Sequence, residues 1–114
     1  MESDDAVQTF RVTVRGRFDG LSTQARAYLE SVQADHDIFK SGFTQEGTFT
    51  YDSKIDFFNL RYEVRVTGDD ATANAASEAL KRATTFLSTL RIGFRDLHAT
   101  SMDMSAMWDR ATRS

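Results

Sequence analysis

The chain has 114 residues, of which 40% are hydrophobic and 27% are charged, and its formal net charge is −3. These values are typical of one folded domain and not of a disordered chain. The sequence contains no cysteine, which excludes disulfides, thiolate nucleophiles and cysteine-ligated metals. The acidic balance opposes the counterion release on which DNA affinity depends, so no DNA partner is expected.

The N-terminal residues 1–8 read MESDDAVQ and show neither the basic nor the apolar region of a secretion signal. No later run reaches the ~18 apolar residues of a membrane span. We therefore expect a cytoplasmic protein without a membrane partner. Residues 1–8 are predicted to form a flexible segment, residues 9–108 a single α+β domain, and residues 109–114 a C-terminal tail.

The first predicted element is a strand from Thr9 to Arg15, in which apolar and polar residues alternate with a period of two. Gly16 then begins the connection to a helix. Asp19 or Ser22 is positioned to cap that helix, whose apolar residues recur at helical spacing and which ends near Gln33 or Ala34.

A β-hairpin is predicted next. Its first strand, Phe43–Tyr51, is rich in residues that favour strands, but Gly47 interrupts it and leaves open which parity faces inward. A polar turn at Asp52–Lys54 leads into Ile55–Thr67, where the alternation is the clearest in the chain.

The second helix and the last strand complete the set. Gly68–Asp70 ends the hairpin and places carboxylates where they can cap the next helix. That helix is predicted over Ala71–Leu90, which contains no glycine or proline and carries an apolar stripe. The last strand is predicted over Phe94–Met104.

This element order predicts a ferredoxin-like α+β fold. It is a β-α-β-β-α-β sandwich, with a four-stranded antiparallel sheet of order 4-1-3-2 and two helices on one face. The helices cover the apolar face of the sheet. The opposite face, called the open sheet face below, is left to solvent or to a partner.

The candidate binding site lies on the open sheet face, where the two central strands bring four arginines beside one glutamate and the last strand adds a histidine. These residues are Arg11, Arg15, Arg61, Glu63, Arg65 and His98. Guanidinium groups bind carboxylates or phosphates through two parallel hydrogen bonds, so a small anionic molecule or an acidic segment is one expected ligand. A solvated face with cross-strand charge pairs is the alternative, and polar alternation on open sheets favours it. Between its arginines, Glu63 is expected to form an ion pair and not to act as a base.

Other chemistry finds little support. His36 lies between Asp35 and Asp37, but neighbouring side chains rarely point at one ion, so no metal site is predicted. No orienting carboxylate can be assigned to His98, and no catalytic residue is predicted. The sequence has no nucleophile elbow, phosphate loop or dinucleotide motif, so no cofactor is expected.

Apolar residues near the C-terminus, Met102, Met104, Met107 and Trp108, allow two interpretations. They can pack on the domain's own core, which is favoured, or form a soft contact surface. Phe57 shares the parity of the arginines, so stacking on RNA bases is a further interpretation, although the acidic chain argues against it.

Four segments, TFRVTVRGRFDGL, EGTFTYD, FFNLRYEVRV and MDMSAMW, together resemble a family of small uncharacterised domains found mainly in actinobacteria. The resemblance covers Phe10 to Trp108. It implies no substrate, cofactor or catalytic residue.

Three functions follow from these observations. The first is a non-enzymatic binding or interaction module, a homodimer, that uses the arginine-rich open sheet face against a second subunit or an anionic ligand. The alternative is a small cofactor-independent enzyme of the ferredoxin-like dimer type, in which His98 and an arginine act on an acidic small molecule. RNA binding is the third.

Overall fold

The computed structural model describes residues 7–36 and 42–104. Within these ranges the β-strands and α-helices follow one another in the predicted order. They are β1 (Gln8–Phe18), α1 (Thr23–Ser31), a short 3-10 helix (Gln33–His36), β2 (Thr48–Tyr51), β3 (Phe57–Val66), α2 (Ala71–Thr89) and β4 (Phe94–Asp103). Neither of the two α-helices is long and apolar enough to cross a membrane.

The four strands form one antiparallel sheet in the order β2-β3-β1-β4. The predicted order 4-1-3-2 has the same neighbours, counted from the opposite edge. The long strands β1 and β3 lie at the centre, so their side chains form the middle of both sheet faces. The fold is therefore α+β with an open four-stranded antiparallel sheet and two helices.

The core lies between the sheet and the helices. Alternate residues of β1 and β3 point into it, among them Val12, Val14, Leu60 and Val64, each at most 1% exposed. The stripe on α2 is made of small residues, so the helix packs closely on the sheet; Leu29 of α1 enters the same core. The buried stripe of α2 consists of Ala71, Ala75, Ala79, Ala83 and Leu87.

Strand β1 continues past Gly16, where the sequence predicted that it ends. A β-carbon at this position would lie 2.7 Å from Cζ of Phe58 and 3.0 Å from Cδ1 of Leu97. Glycine is needed here because two core side chains occupy the space of its missing side chain, and not because the chain turns. The extension adds Arg17 and Phe18 to the strand.

Strand β2 is shorter than predicted. Gly47 has a φ of 96°, and a β-carbon there would collide with the ring of Tyr62. Before it, Thr44 forms only an isolated bridge to Tyr62. Regular pairing therefore begins at Thr48, and the parity that the sequence left open is settled: Phe49 and Tyr51 belong to the core cluster.

The two helices begin differently. In α1, the hydroxyl of Ser22 accepts a hydrogen bond from the amide of Ala25 at 3.0 Å, which is one of the two predicted caps. In α2, Asp70 occupies the capping position but its side chain makes no capping bond, so the predicted carboxylate cap is wrong there. Its φ of −99° and ψ of 41° differ from the extended conformation that aims a capping side chain at the helix.

The hairpin turn is longer than the predicted Asp52–Lys54, because regular β3 begins only at Phe57. Oδ1 of Asp52 accepts hydrogen bonds from the amides of Asp56 at 2.7 Å and Phe57 at 3.0 Å. Within the turn, Ile55 is buried and adopts a φ of 56°, which is rare for a β-branched residue. One carboxylate thus fixes the connection that sets the start of β3.

Candidate functional site

Strand pairing brings the six predicted binding residues onto one surface, the open sheet face. Arg11 lies directly opposite Glu63, and Arg15 lies opposite Asn59 on one side and His98 on the other. The pairing also shows which other side chains share this face. They are Thr9, Thr13, Arg17, Thr48, Thr50, Phe57, Asn59, Arg95, Thr100 and Met102.

Two central arginines are held by neutral groups. Nε of Arg15 donates to Oδ1 of Asn59 at 3.2 Å, and Nη1 of Arg61 donates to Oγ1 of Thr50 at 3.0 Å. The two acceptors are cross-strand neighbours, and at 2% and 1% exposure Asn59 and Thr50 are buried although they lie on the open sheet face. Neutral acceptors orient a guanidinium without cancelling its charge.

The charge of Arg61 lies in an unfavourable environment. Burial lowers the pKa of Arg61 from its usual value, and the neighbouring charge of Arg15 lowers it further. Among the described residues neither arginine forms an ion pair. A bound anion would relieve both effects, because it would replace lost hydration and separate two like charges.

Two aromatic rings flank the central arginines. The guanidinium carbon of Arg11 lies 5.4 Å from the ring centre of Phe43, and that of Arg15 lies 5.8 Å from the ring centre of Phe57. Both distances are within the range of cation–π attraction. The rings therefore restrict the arginine side chains further and give the face apolar margins.

Glu63 forms the ion pair that the sequence predicted, but with one arginine only. Its carboxylate lies 3.5 Å from Nη2 of Arg65. Arg11, directly opposite on β1, stacks on Phe43 instead. Six arginines and one glutamate occupy paired positions on this face, and Asp96 lines one end of it, so the two carboxylates leave most of the positive charge unbalanced. The arginines are Arg11, Arg15, Arg17, Arg61, Arg65 and Arg95.

A β-bulge in β4 adds one of these arginines. The pairing of β1 with β4 shifts between Arg15 and Arg17, and Asp96 within the shift has a φ of 57°. Simple alternation back from His98 would point Arg95 toward the helices. The extra residue reverses this, so Arg95 lies opposite Arg17 on the open sheet face.

The bulge also forms a cleft of about 260 Å³ at one end of the open sheet face. Nδ1 of His98 lies 3.2 Å from the carbonyl oxygen of Asp96, so the bulge fixes one nitrogen of the imidazole. His98 itself is exposed. The cleft is lined by Arg15, Gly16, Arg17, Phe57, Asp96 and His98.

Sequence reasoning missed several residues of this face. Arg17 was missed because Gly16 was interpreted as a strand end, and Arg95 because a bulge is invisible to simple alternation. Thr50 and Phe43 could not be placed while the parity around Gly47 was open. The one available signal was the unbroken alternation of β3, which put Asn59 on the same face as Arg61.

The other sequence candidates contribute little to this face. His36 ends the 3-10 helix, while its neighbour Asp37 lies outside the described residues. Across residues 7–36 and 42–104, no group of three or more histidine, cysteine, aspartate or glutamate residues is placed to hold a metal ion. Met104 is buried and Met102 is 54% exposed on the open sheet face. Met107 and Trp108 lie outside the described residues.

Comparison with known proteins gives a family but no activity. A model described as a family of unknown function, DUF6204, matches residues 2–114, which is more of the chain than the predicted resemblance covered. A search of curated proteins found no match, and a search of solved structures found none. Because the family model spans nearly the whole sequence, the chain belongs to the DUF6204 family of unknown function.

Proposed function

We propose that the protein is a binding module whose open sheet face holds an anionic ligand through Arg15 and Arg61. The observation that carries this proposal is the contact of each guanidinium with a buried neutral acceptor, Asn59 or Thr50. Such contacts orient positive charge in advance, and a ligand then loses less free energy in ordering the site.

The distribution of charge supports the same function. The chain as a whole carries a formal charge of −3, yet among the described residues six arginines and a single glutamate occupy paired positions on one sheet face. A surface potential opposite to the net charge attracts anions locally. Guanidinium forks suit carboxylates and phosphates, so these are the proposed ligand groups.

The finer architecture and location belong to this proposal as well. Two helix crossovers on a four-stranded antiparallel sheet support the ferredoxin-like designation. The cytoplasmic location, the actinobacterial origin and the homodimer stay predictions.

The enzyme alternative has less support than the binding module. A pocket between the sheet and the helices would need His98 or Glu63 in its wall, but pairing puts both residues on the opposite face. RNA binding stays the third candidate. It draws on Phe43 and Phe57 beside arginines, while the net negative charge opposes it.

Titration with inorganic phosphate and with acetate at low salt, followed by calorimetry, tests the proposal. We expect the variants Arg15→Gln and Arg61→Gln each to weaken phosphate binding about tenfold or more, because each removes charged hydrogen bonds. Arg26→Gln is the matched control, since Arg26 is an exposed arginine on α1. Equal loss in all three variants, or no binding by the wild type, would contradict the proposal. Tighter retention of an RNA oligonucleotide than of phosphate would favour the third candidate.

A further inference from the structure

The cleft beside the β4 bulge differs from the rest of the open sheet face, because it combines three kinds of group. Arg15 and Arg17 supply positive charge that exceeds the one carboxylate of the lining, that of Asp96; Phe57 supplies an apolar wall, and His98 supplies an imidazole. Phe57 is partly buried, whereas the two arginines and the histidine are exposed. A ligand in the cleft therefore meets flat, charged and hydrogen-bonding surfaces together.

The contact of His98 Nδ1 with the bulge determines whether the other ring nitrogen, Nε2, donates or accepts a hydrogen bond. A carbonyl oxygen only accepts hydrogen bonds, so the 3.2 Å contact with Asp96 is a hydrogen bond in the tautomer that carries the proton on Nδ1. Nε2 then carries a lone pair and accepts a hydrogen bond. The group that it would bind on a ligand is a donor, such as a hydroxyl.

Arg15 has capacity left for a carboxylate. Its Nε is used by Asn59, and no other hydrogen bond or ion pair of its side chain occurs within residues 7–36 and 42–104. The outer edge of the guanidinium, formed by Nη1 and Nη2, therefore offers two parallel donors to one carboxylate. Arg17, two residues along the same strand and on the same face, adds a second charge.

The size of the cleft limits the ligand. Typical ligand pockets enclose roughly 300–1,000 Å³, and this cleft encloses about 260 Å³. A half-open cleft of this size suits a single-ring acid better than a nucleotide or a peptide. An aromatic ring gains from lying against Phe57 and a guanidinium, since both favour flat partners.

We propose that this cleft binds a small hydroxylated aromatic carboxylate. The carboxylate lies on Arg15 and Arg17, the ring packs on Phe57, and the hydroxyl donates to Nε2 of His98. The inference rests on the proposed anion-binding function and gives it a ligand class. It also separates the cleft from Arg61, which orients anions at the middle of the face without lining the cleft.

Binding of meta- and para-hydroxybenzoate, benzoate, cyclohexanecarboxylate and inorganic phosphate to the full chain tests this proposal. We expect a hydroxybenzoate to bind most tightly and cyclohexanecarboxylate to bind more weakly than benzoate. Phe57→Leu keeps an apolar side chain but removes the ring, so it should weaken hydroxybenzoate binding about three- to tenfold and phosphate binding much less. His98→Ala should remove the roughly fivefold preference for a hydroxybenzoate over benzoate.

Proton NMR gives a second readout, in which binding is followed on the wild-type chain. The chain has two histidines, so the ring signals of His98 can be assigned with the His98→Ala variant alone. We expect hydroxybenzoate to shift the His98 signals at constant pH. Arg26→Gln, outside the cleft, serves as the binding control.

The outcomes separate this inference from the proposed function. Phosphate binding that depends on Arg61, without binding of any aromatic acid, would overturn the cleft assignment and leave the anion-binding module intact. Hydroxybenzoate binding that is insensitive to Phe57→Leu and leaves the His98 signals unmoved would also overturn it. If neither phosphate nor an aromatic acid binds, both proposals fail.

Discussion

At the scale of single residues, two glycines allow a backbone effect to be separated from a steric one. Gly47 and Gly68 have similar φ values, 96° and 101°, but only at Gly47 would a β-carbon meet other atoms, those of the Tyr62 ring. Gly68→Ala should cost about 1 kcal/mol of unfolding free energy, the usual penalty of a left-handed conformation. Gly47→Ala should cost about 1–3 kcal/mol more, because it adds a core clash. Urea denaturation measures both; equal losses would show that the Tyr62 ring moves freely aside.

Tyr62 itself should make stability depend on alkaline pH. Burial raises the pKa of Tyr62 to about 12, against a smaller opposing effect of the Arg82 charge. In the unfolded chain a tyrosine ionises near pH ~10, so the folded state holds the phenol proton more tightly. The resulting stabilisation is fully present below about pH 10 and is lost as the pH rises toward about 12. Between these values, the unfolding free energy of the wild type should fall more steeply than that of Tyr62→Phe. Parallel curves for the two proteins would exclude this role.

At the scale of elements, the two helix starts predict different responses to the same substitution. Ser22→Ala removes the side-chain cap of α1 and should lower the unfolding free energy by about 1 kcal/mol. Asp70→Ala should have a smaller effect, because the Asp70 side chain makes no capping bond and only its carbonyl is used, by the amide of Asn74 at 2.9 Å. Thermal unfolding of the two variants compares the helix starts directly. A larger loss for Asp70→Ala would mean that its charge acts through the helix dipole.

The elements also show how far the sequence predicts this fold. The alternation of apolar and polar residues predicted the bounds of β3, and the alanine stripe predicted those of α2, each to within two residues at either end. These patterns depend only on which face of the element is buried. The ends of β1 and β2 were not predictable. They depend on the space around Gly16 and Gly47, which is occupied by Phe58 and Tyr62 from another strand. Local patterns contain no information about such distant neighbours.

The candidate site, like the fold, could be predicted from the sequence only in part. All six predicted residues share the open sheet face because parity alone places them there. The sequence predicted the kind of contact that the side chain makes only for Glu63. The buried acceptors Asn59 and Thr50 are ordinary strand residues in the sequence, and their role arises from the register of β2 against β3.

At the scale of the whole molecule, charge constrains the predicted homodimer. Two copies packed directly through their open sheet faces would oppose arginines with arginines, which costs free energy unless anions lie between them. If the homodimer forms through these faces, light scattering at low salt should give the mass of one chain, 12.9 kDa. Added phosphate should raise the average mass, whereas chloride at equal ionic strength should not. A stable dimer without phosphate would place the interface elsewhere on the molecule.

The bulge in β4 has an evolutionary consequence. The extra residue divides the strand into two parts, and in each part the alternation of side chains between the two sheet faces is independent of the other. Phe94 and Arg95 lie in one part and His98 lies in the other. Deletion of Asp96 would exchange the faces of Arg95 and Phe94 and leave the rest of the strand in place. Chain length at a single position thus controls the charge of this surface, so a homologue with one residue fewer here would lose one arginine from the open sheet face.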